Sequence, residues 1–195
     1  MKLICIGRNY VDHIEELNNE RPAEPVVFIK PDSSILPKEQ DFYLPNFTSD
    51  VHHEVEVLVK IKKVGKHIDV DFAHTYYDEI GLGIDFTARD VQSNLKAKGL
   101  PWEKAKGFDS SAVIAPFISI EGLNLTDLNF RLEKNGEVVQ RGNTQQMIHK
   151  IDDIIAHVSQ YFTLKIGDYI YTGTPAGVGS VKSNDRLVGF IENQE

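Results

Sequence analysis

The chain has 195 residues, of which 41% are apolar and 26% are charged. This composition is ordinary for a soluble globular protein, and the length predicts one domain with a real core rather than a disordered chain. The formal net charge of −8 excludes a general nucleic-acid binder, because such proteins need a basic surface to neutralise phosphates. An anionic substrate would therefore need a local cation to hold it.

The compartment follows from cysteine usage and from the N-terminus. Cys5 is the single cysteine of the chain, so no internal disulfide can form. The short apolar run within Met1–Arg8 lacks the hydrophobic region of a signal peptide, and no stretch approaches the roughly 20 apolar residues of a membrane span. We therefore expect a cytoplasmic protein that does not bind membranes, with Cys5 as a buried small hydrophobe.

The first 45 residues differ from the rest of the chain in how apolar and polar residues are distributed. Apolar runs alternate with polar stretches that contain proline, which breaks regular structure. The pattern predicts, in chain order, a strand over Leu3–Ile6, a helix over Tyr10–Leu17 with Asn9 as its N-cap, a loop over 18–25, a strand over 26–31 and a loop over 31–50.

From residue 54 onward, strands dominate the predicted elements. The strand over 54–61 alternates, with three valines and an isoleucine on one face and two glutamates on the other. Asn135-Gly136 between two short strands is typical of a type I′ hairpin. The remaining elements are a strand over 80–86, a helix over 88–98 with Ala88, Val91 and Leu95 as its apolar stripe, a helix over 147–162, and strands over 169–171 and 187–191. This order predicts an α+β fold that is mostly β.

Three carboxylates form the most informative set of residues. Glu54 and Glu56 are two apart on a predicted strand, so they share one face. Asp85 lies near the end of another strand in an otherwise apolar stretch, where a lone buried carboxylate would be costly. Three such oxygen ligands suit Mg²⁺, Mn²⁺ or Ca²⁺ better than Zn²⁺. The alternative for the two glutamates is a strand face exposed to solvent, which is common.

Two further patterns have both a chemical and an ordinary interpretation. His13 and Glu16 are three positions apart on the predicted helix, so their side chains are neighbours on its surface. A general base oriented by a carboxylate has this arrangement. The alternative is an exposed histidine beside exposed acids. The glycine-rich stretch 172–179 matches neither a P-loop nor a dinucleotide-binding loop, and it could be a tight turn between strands. Arg89 and Lys106 lie near these candidates in sequence, although most such cations are solvated.

Taken together, the motifs of the chain resemble the fumarylacetoacetate hydrolase family, in particular its short acylpyruvate hydrolase and oxaloacetate decarboxylase branch. Each motif is weak alone, but they occur in the order of the family over nearly the whole chain. The matching segments are Gly7–Tyr10 with His13 and Glu16, Phe28–Pro31, His52–Glu56, Asp85–Gln92, Gly99–Trp102, Lys104–Asp109 and Thr172–Gly179.

The resemblance implies a role for individual residues. Glu54, Glu56 and Asp85 would bind Mg²⁺ or Mn²⁺, and His13 with Glu16 would act as a general-base dyad on a mobile lid helix. Lys106 would lie beside metal and substrate as a catalytic residue. The residues implied to bind substrate or support the site are Arg8, Tyr10, Arg89, Gln92 and Thr174. The implied fold is a mixed β-roll, and the implied assembly is a homodimer. Residues 1–195 would form a single catalytic domain. Within it, residues 1–45 would supply the first strand, the lid helix and loops, and residues 46–195 would form the metal-binding core.

The expected activity is metal-dependent C–C cleavage of a small β-keto acid. The chain would hydrolyse acylpyruvates to pyruvate and a carboxylate, decarboxylate oxaloacetate, or do both. The alternatives are an oxaloacetate keto–enol tautomerase, an isomerase/decarboxylase of aromatic catabolism, or a non-catalytic domain that binds a metal or keto acid. The sequence departs from the family pattern at two places. Val113–Pro116 stands where relatives read P-x-G-P, and the sequence ends at Glu195, where relatives often continue into another strand. We expect either that this edge strand is absent or that the C-terminus is shortened.

Overall fold

A computed structural model describes residues 1–16, 21–192 and 194. Its strands are β1 Leu3–Gly7, β2 Val26–Lys30, β3 Val51–His53, β4 Val55–Lys60, β5 Glu79–Asp85, β6 Thr87–Ala88, β7 Ala112–Ile114, β8 Ile118–Ser119, β9 Asn129–Lys134, β10 Glu137–Asn143, β11 Tyr169–Tyr171, β12 Gly179–Ser180 and β13 Leu187–Ile191. Its helices are α1 Val11–Glu16, α2 Val70–Ala73, α3 Arg89–Ala97, α4 Glu103–Lys106 and α5 Ile151–Tyr161. The prediction of an α+β fold that is mostly β is confirmed.

A large mixed sheet forms the centre of the molecule. Its strands lie in the order β2-β1-β11-β4-β5-β7, and β8 also pairs with β5. Strand β1 runs parallel to β11, whereas β1 with β2, β11 with β4, and β4 with β5 are antiparallel. The first strand of the chain is therefore built into the same sheet as β4 and β5, from which the candidate carboxylates come.

Both faces of this sheet are buried, because the side chains of each strand alternate between two apolar clusters. Val55, Val57 and Val59 of β4 belong to the main core, which also includes the apolar face of α5. Leu58 points the other way and packs with Leu3, Cys5, Ala112 and Tyr171. The alternative of a solvent-exposed glutamate face on β4 is therefore wrong.

Two three-stranded sheets flank the large one. Strands β10-β9-β13 form the first, and β12-β3-β6 form the second. The β9–β10 hairpin turns through Asn135 and Gly136, whose φ values of 57° and 85° are those of the predicted type I′ turn. Strand β3 pairs with β6 and leads directly into β4, so the chain passes from the second small sheet into the large one at Glu54.

Three details of the predicted helices are wrong. The helix predicted over 147–162 begins only at Ile151, because Met147 is extended and forms a bridge with Tyr10. The side chain of Asn9 binds the backbone of His149 and Thr172 instead of capping α1. In α3 the buried residue is Gln92, whereas the predicted apolar stripe of Val91 and Leu95 is only half-buried. Leu17, the last residue of the predicted first helix, lies outside the described residues.

Two observations bear on the predicted setting of the protein. Cys5 is fully buried in the large sheet, and burial raises the pKa of its thiol, as expected for an inert small hydrophobe. Among residues 1–16, 21–192 and 194, no helix combines the length and the apolar character that a membrane crossing requires.

Candidate active site

The three candidate carboxylates converge because their strands are hydrogen-bonded neighbours. Glu54 lies at the β3–β4 junction, Glu56 on β4 and Asp85 at the end of β5, and the Asp85 N–H donates to the Glu54 carbonyl over 2.9 Å. One carboxylate oxygen of each residue lies within 4.8 Å of the others. All three side chains are buried, with at most 4% of each residue exposed. The sequence therefore identified residues that are 31 positions apart yet share one buried site.

Lys106 binds two of the three carboxylates of this cluster. Its ammonium donates to Glu54 Oε2 and Asp85 Oδ2, both at 2.7 Å, and to Thr87 Oγ1 at 2.6 Å. The side chain leaves the last turn of α4 and passes over the Phe28 ring, with its nitrogen 5.2 Å from the ring centre. Burial alone would lower the pKa of Lys106, but Asp85 and Glu54 outweigh it and raise that pKa, so the group is a fixed cation.

Arg89 and Gln92 lie beside the cluster on the first turn of α3. The Arg89 guanidinium binds Glu54 Oε1 and also donates to Gln92 Oε1 at 2.6 Å. Burial opposes ionisation of Glu54, yet Lys106 and then Arg89 outweigh it and hold the pKa of Glu54 well below its usual range. Gln92, which is buried, thus holds Arg89 against the cluster.

A second lysine in the site was not assigned a role from the sequence. Lys30 at the end of β2 is fully buried, and its ammonium lies 2.6 Å from Asp85 Oδ1. It also donates to the carbonyl and hydroxyl oxygens of Ser111 at 2.9 and 3.0 Å. The available signal was a lysine at the end of an apolar strand, immediately before Pro31, since lysine is almost never fully buried unless it is paired.

The cations around the cluster are unevenly distributed. Lys106 and Arg89 bind Glu54, and Lys106 and Lys30 bind Asp85, whereas Glu56 has no cation within 4.0 Å in the part of the chain that the structure describes. The Glu56 carboxylate accepts a 2.6 Å hydrogen bond from the Gly173 N–H. Burial and the neighbouring Asp85 and Glu54 carboxylates raise the pKa of Glu56 well above its usual value.

This imbalance fits a divalent cation. Three converging carboxylates supply hard oxygen ligands of the kind that Mg²⁺ and Mn²⁺ prefer. A cation bound there would relieve the like-charge repulsion that Glu56 experiences and would leave Lys106 and Arg89 to contact the ligand or substrate. Glu54, Glu56 and Asp85 are the residues that could hold it.

The candidate base dyad is formed and is attached to the glycine-rich loop. His13 Nδ1 lies 3.1 Å from Glu16 Oε2, and Glu16 Oε1 accepts a hydrogen bond of 3.1 Å from the Gly177 N–H. His13 is buried, and α1 is joined through Glu16 to the loop whose Gly173 N–H binds Glu56, so the helix is linked to the cluster. Because Glu16 accepts the Nδ1 proton, Nε2 of a neutral His13 is the free base.

Two residues that precede the lid helix, Tyr10 and Arg8, occupy different surroundings. Tyr10 is buried, and its hydroxyl oxygen has no hydrogen-bond partner among the described residues. Burial and then the Glu56 carboxylate raise the pKa of this phenol. Arg8 has a positive φ of 58° at the end of β1 and lies near Lys96, whose pKa is lowered by burial and then by Arg8.

The glycine-rich loop meets the cluster through its backbone. Gly173 has a φ of +103°, and a Cβ there would lie 2.7 Å from the Asn9 Cβ, so only glycine brings its N–H so close to Glu56. The hydroxyl of Thr174 donates to the Val55 carbonyl at 2.9 Å. Thr174 is therefore beside the cluster, but its single hydroxyl proton is already used by the protein.

Comparison with known proteins identifies the family. The model described as the C-terminal domain of fumarylacetoacetate (FAA) hydrolase matches residues 2–193. The chain belongs to the fumarylacetoacetate hydrolase family. The resemblance inferred from the motifs is confirmed, and the family membership covers the lid helix as well as the cluster.

Relatives in this family are named for several activities. The chain is 42% identical over 188 residues to oxaloacetate tautomerase YcgM of Escherichia coli, covering 95% of this chain and 86% of that protein. It is 43% identical over 183 residues to a mitochondrial oxaloacetate decarboxylase of Dictyostelium discoideum, covering 93% and 84%. The fold of fumarylpyruvate hydrolase from Pseudomonas aeruginosa, solved with Mn²⁺ and pyruvate, superposes with a TM-score of 0.92 at 32% identity, covering 98% and 85%. The predicted fold type is confirmed by this similarity.

Proposed function

We propose that this member of the fumarylacetoacetate hydrolase family is a metal-dependent enzyme that cleaves a C–C bond of a small β-keto acid. Its substrates would be acylpyruvates, hydrolysed to pyruvate and a carboxylate, or oxaloacetate, which loses CO₂. The observation that supports this best is the buried carboxylate cluster Glu54, Glu56 and Asp85. Lys106 binds two of its carboxylates, and the His13–Glu16 pair is attached to the loop that binds the third.

Mg²⁺ or Mn²⁺ bound by the three carboxylates would supply Lewis-acid stabilisation of the enolate that C–C cleavage produces. Beside it, Lys106 and Arg89 supply fixed positive charge. An anionic keto acid needs this local positive charge, because the protein as a whole has a net charge of −8. Gln92 orients Arg89. The Thr174 hydroxyl, which now donates to the Val55 carbonyl, would instead donate to the substrate carboxylate when substrate binds.

The lid helix supports the hydrolytic step. Glu16 fixes His13 with Nε2 free, so Nε2 can take a proton from a water that attacks the distal carbonyl of an acylpyruvate. The bond between the attacked carbonyl and the methylene breaks, which releases a carboxylic acid and the pyruvate enolate. A proton returned to that carbon completes pyruvate, so one water is consumed. Arg8 and Tyr10, at the start of the lid, would bind the rest of the substrate.

Decarboxylation needs fewer groups than hydrolysis. Oxaloacetate loses CO₂ without an attacking water, so the cluster and the cations suffice for that reaction. An oxaloacetate keto–enol tautomerase is the second candidate function, because a relative with that name is 42% identical to this chain. An isomerase/decarboxylase of aromatic catabolism is a further alternative. A non-catalytic keto-acid binder is disfavoured by the oriented His13–Glu16 pair, which binding alone does not need.

The proposal is tested by a screen of acylpyruvates and oxaloacetate with Mg²⁺ and with Mn²⁺. Pyruvate release is followed for every substrate, and the oxaloacetate enol band is followed for tautomerisation. We expect turnover that EDTA abolishes and that either ion restores. Full activity in EDTA would contradict the metal dependence, and tautomerisation without pyruvate release would favour the second candidate.

We further propose that residues 1–195 form a single catalytic domain that works as a homodimer in the cytoplasm. Strand β1 lies between β2 and β11, which supports one unit. A groove of about 790 Å³ is lined by apolar residues and by charges of both signs, and Tyr43 at its edge is 81% exposed. A second copy related by a two-fold axis could pair Asp41 with Lys182 across this groove. Sedimentation velocity of the native protein and of Tyr43→Ser would test it.

A further inference from the structure

Gln140 of strand β10 makes an unusually complete set of hydrogen bonds for a residue outside the candidate site. Its residue is 1% exposed. Its Oε1 accepts from His53 Nδ1 and from the Val55 N–H, both at 3.0 Å. Its Nε2 donates to Thr174 Oγ1 at 2.9 Å and to the Pro175 carbonyl at 3.0 Å. The two acceptor positions and two donor hydrogens of the amide are therefore all used.

The orientation of this amide is fixed by chemistry. The Val55 N–H can only donate, and the Pro175 carbonyl can only accept, so exchanging Oε1 and Nε2 would leave both unsatisfied. One consequence is that His53 carries its proton on Nδ1. Another is that Thr174, which receives the Gln140 hydrogen bond, directs its own hydroxyl proton to the Val55 carbonyl.

The four partners belong to two segments that meet at the carboxylate cluster. Val55 stands between Glu54 and Glu56, so the Oε1 side of Gln140 holds the strand that presents both carboxylates. Thr174 directly follows Gly173, whose N–H binds Glu56, so the Nε2 side holds the loop that positions that carboxylate. Gln140 thus bridges the strand that carries Glu56 and the loop that binds it, beside the direct bond from the Thr174 hydroxyl to the Val55 carbonyl.

The same strand also supports the anchor of the lid helix. Gly177 packs so closely on β10 that a Cβ there would lie 2.4 Å from the Val139 carbonyl. The N–H of Gly177 binds Glu16 of the base dyad. Strand β10 therefore contacts the glycine-rich loop both where the loop meets the carboxylates and where it meets the lid.

We propose that Gln140 is a positioning residue for metal binding and C–C cleavage, through the loop 173–177 and the strand at Glu54–Glu56. This inference rests on the proposed function for its kinetic part only. Partners one shell away from a metal ligand typically change metal affinity or activity 10- to 100-fold when they are replaced. No spacing along the chain points to this role, because residue 140 is 34 positions from Thr174 and 87 from His53.

The test replaces the amide by a carboxylate of the same shape. Gln140→Glu keeps an acceptor for His53 and Val55 but presents an oxygen to Thr174 and to the Pro175 carbonyl. Gln140→Asn keeps the amide but is one methylene shorter, so it serves if the first variant does not fold. Gln145→Glu, at an exposed position outside the site, is the matched control. Titration calorimetry measures the Mn²⁺ affinity of each protein. The kinetic constants kcat and KM are measured with the keto acid that the native protein turns over best. Near-ultraviolet circular dichroism gives the folded fraction.

We expect Mn²⁺ to bind to both Gln140 variants roughly 10-fold or more weakly, and kcat to fall about 10- to 100-fold, at temperatures where they remain folded. The Gln145→Glu control should match the native protein. A Mn²⁺ affinity within twofold of native, with only the melting temperature lowered, would overturn the proposal and make Gln140 a structural residue. If no keto acid is turned over by the native chain, the proposed function fails, while weakened Mn²⁺ binding would still support the positioning role.

Discussion

The carboxylate cluster and the lid helix of the same candidate site are held in very different ways. Glu54, Glu56 and Asp85 lie on adjacent strands of a sheet whose two faces are buried, and buried cations brace two of them. The lid helix α1 is six residues long and is attached through a few contacts, among them the bond between Glu16 and Gly177. A helix this short has little stability of its own in water.

This difference separates two kinds of chemistry. The cluster is part of the core, so a change there alters stability and every reaction of the site together. The lid can be altered through single contacts, so a change there should affect the steps that need His13 and leave the others. Four substitutions, ordered by expected effect, test that separation.

Replacement of Asp85 by Asn should have the largest effect. It removes one of the three converging carboxylates and leaves the buried Lys30 ammonium without its charged partner. We expect hydrolysis and decarboxylation to fall together by roughly 10³-fold or more, equivalent to about 4 kcal/mol. The free energy of unfolding should fall by about 3 kcal/mol in urea titrations without metal.

The control for Asp85→Asn is Glu79→Gln on the same strand. Glu79 pairs with Lys60, and both side chains are 40% exposed, so the pair should contribute less than about 1 kcal/mol. Equal losses of stability in the two variants would contradict the view that the cluster is braced by its buried cations.

Replacement of His13 by Ala should separate the activities. Acylpyruvate hydrolysis needs a base for the attacking water and should fall about 10²- to 10⁴-fold, whereas oxaloacetate decarboxylation should keep most of its rate. Pyruvate release from both substrates measures the ratio. Loss of decarboxylation with intact hydrolysis would make the assignment of His13 as the base wrong.

Replacement of Gly177 by Ala should loosen the lid without touching its residues. The glycine has a φ of +95°, and a Cβ would meet the Val139 carbonyl, so the loop must move and the bond to Glu16 is lost. We expect hydrolysis to fall roughly tenfold further than decarboxylation, a difference of about 1.4 kcal/mol, because Gly177 binds the lid whereas Gly173 binds the cluster. Gly167→Ala, with a φ of +85° and open space around it, separates backbone strain from this contact.

Replacement of Asp90 by Asn should have the smallest effect, outside both regions. Partial burial opposes its ionisation, but hydrogen bonds from Thr48 and from the Ser49 N–H outweigh it and lower the pKa of the carboxyl. A lowered folded pKa stabilises the protein above the unfolded pKa of about 4, and that contribution is lost as the pH falls through the folded pKa. Thermal unfolding of both proteins should therefore differ slightly at neutral pH and converge as the pH falls through the folded pKa of Asp90.

The parts of the site that could be predicted from the sequence share a local signature. Glu54 and Glu56 are two apart on a strand, His13 and Glu16 are three apart on a helix, and Asp85 interrupts an apolar run. In each case the periodicity of one element was enough to predict which side chains lie together. The type I′ hairpin at Asn135-Gly136 was predictable for the same reason, because its conformation depends on two adjacent residues.

The parts that could not be predicted depend on contacts distant in sequence. Lys30 reaches Asp85 because the chain after β2 bridges at Ile35 to Ala112 of β7, the residue that pairs with Asp85, and no spacing along the chain encodes that. Met147 resembles the first residue of a helix but pairs instead with Tyr10. In α3, hydrophobicity pointed to Val91 and Leu95, whereas the helix buries Gln92, because that amide holds Arg89 at the site. Tertiary contacts decided these positions against local propensity.

The parallel pairing of β1 with β11 also has a consequence for how the molecule folds. The Lys2 N–H binds Asp168, 166 residues further along the chain, so the first strand cannot find its place until nearly all of the polypeptide has been synthesised. Such long-range pairings are slow to form, because the loop-closure entropy is lost before the contacts form. We therefore expect the N-terminal strand and the helix that follows it to dock late, so that His13 joins an already assembled cluster and the enzyme becomes complete only in the last stage of folding.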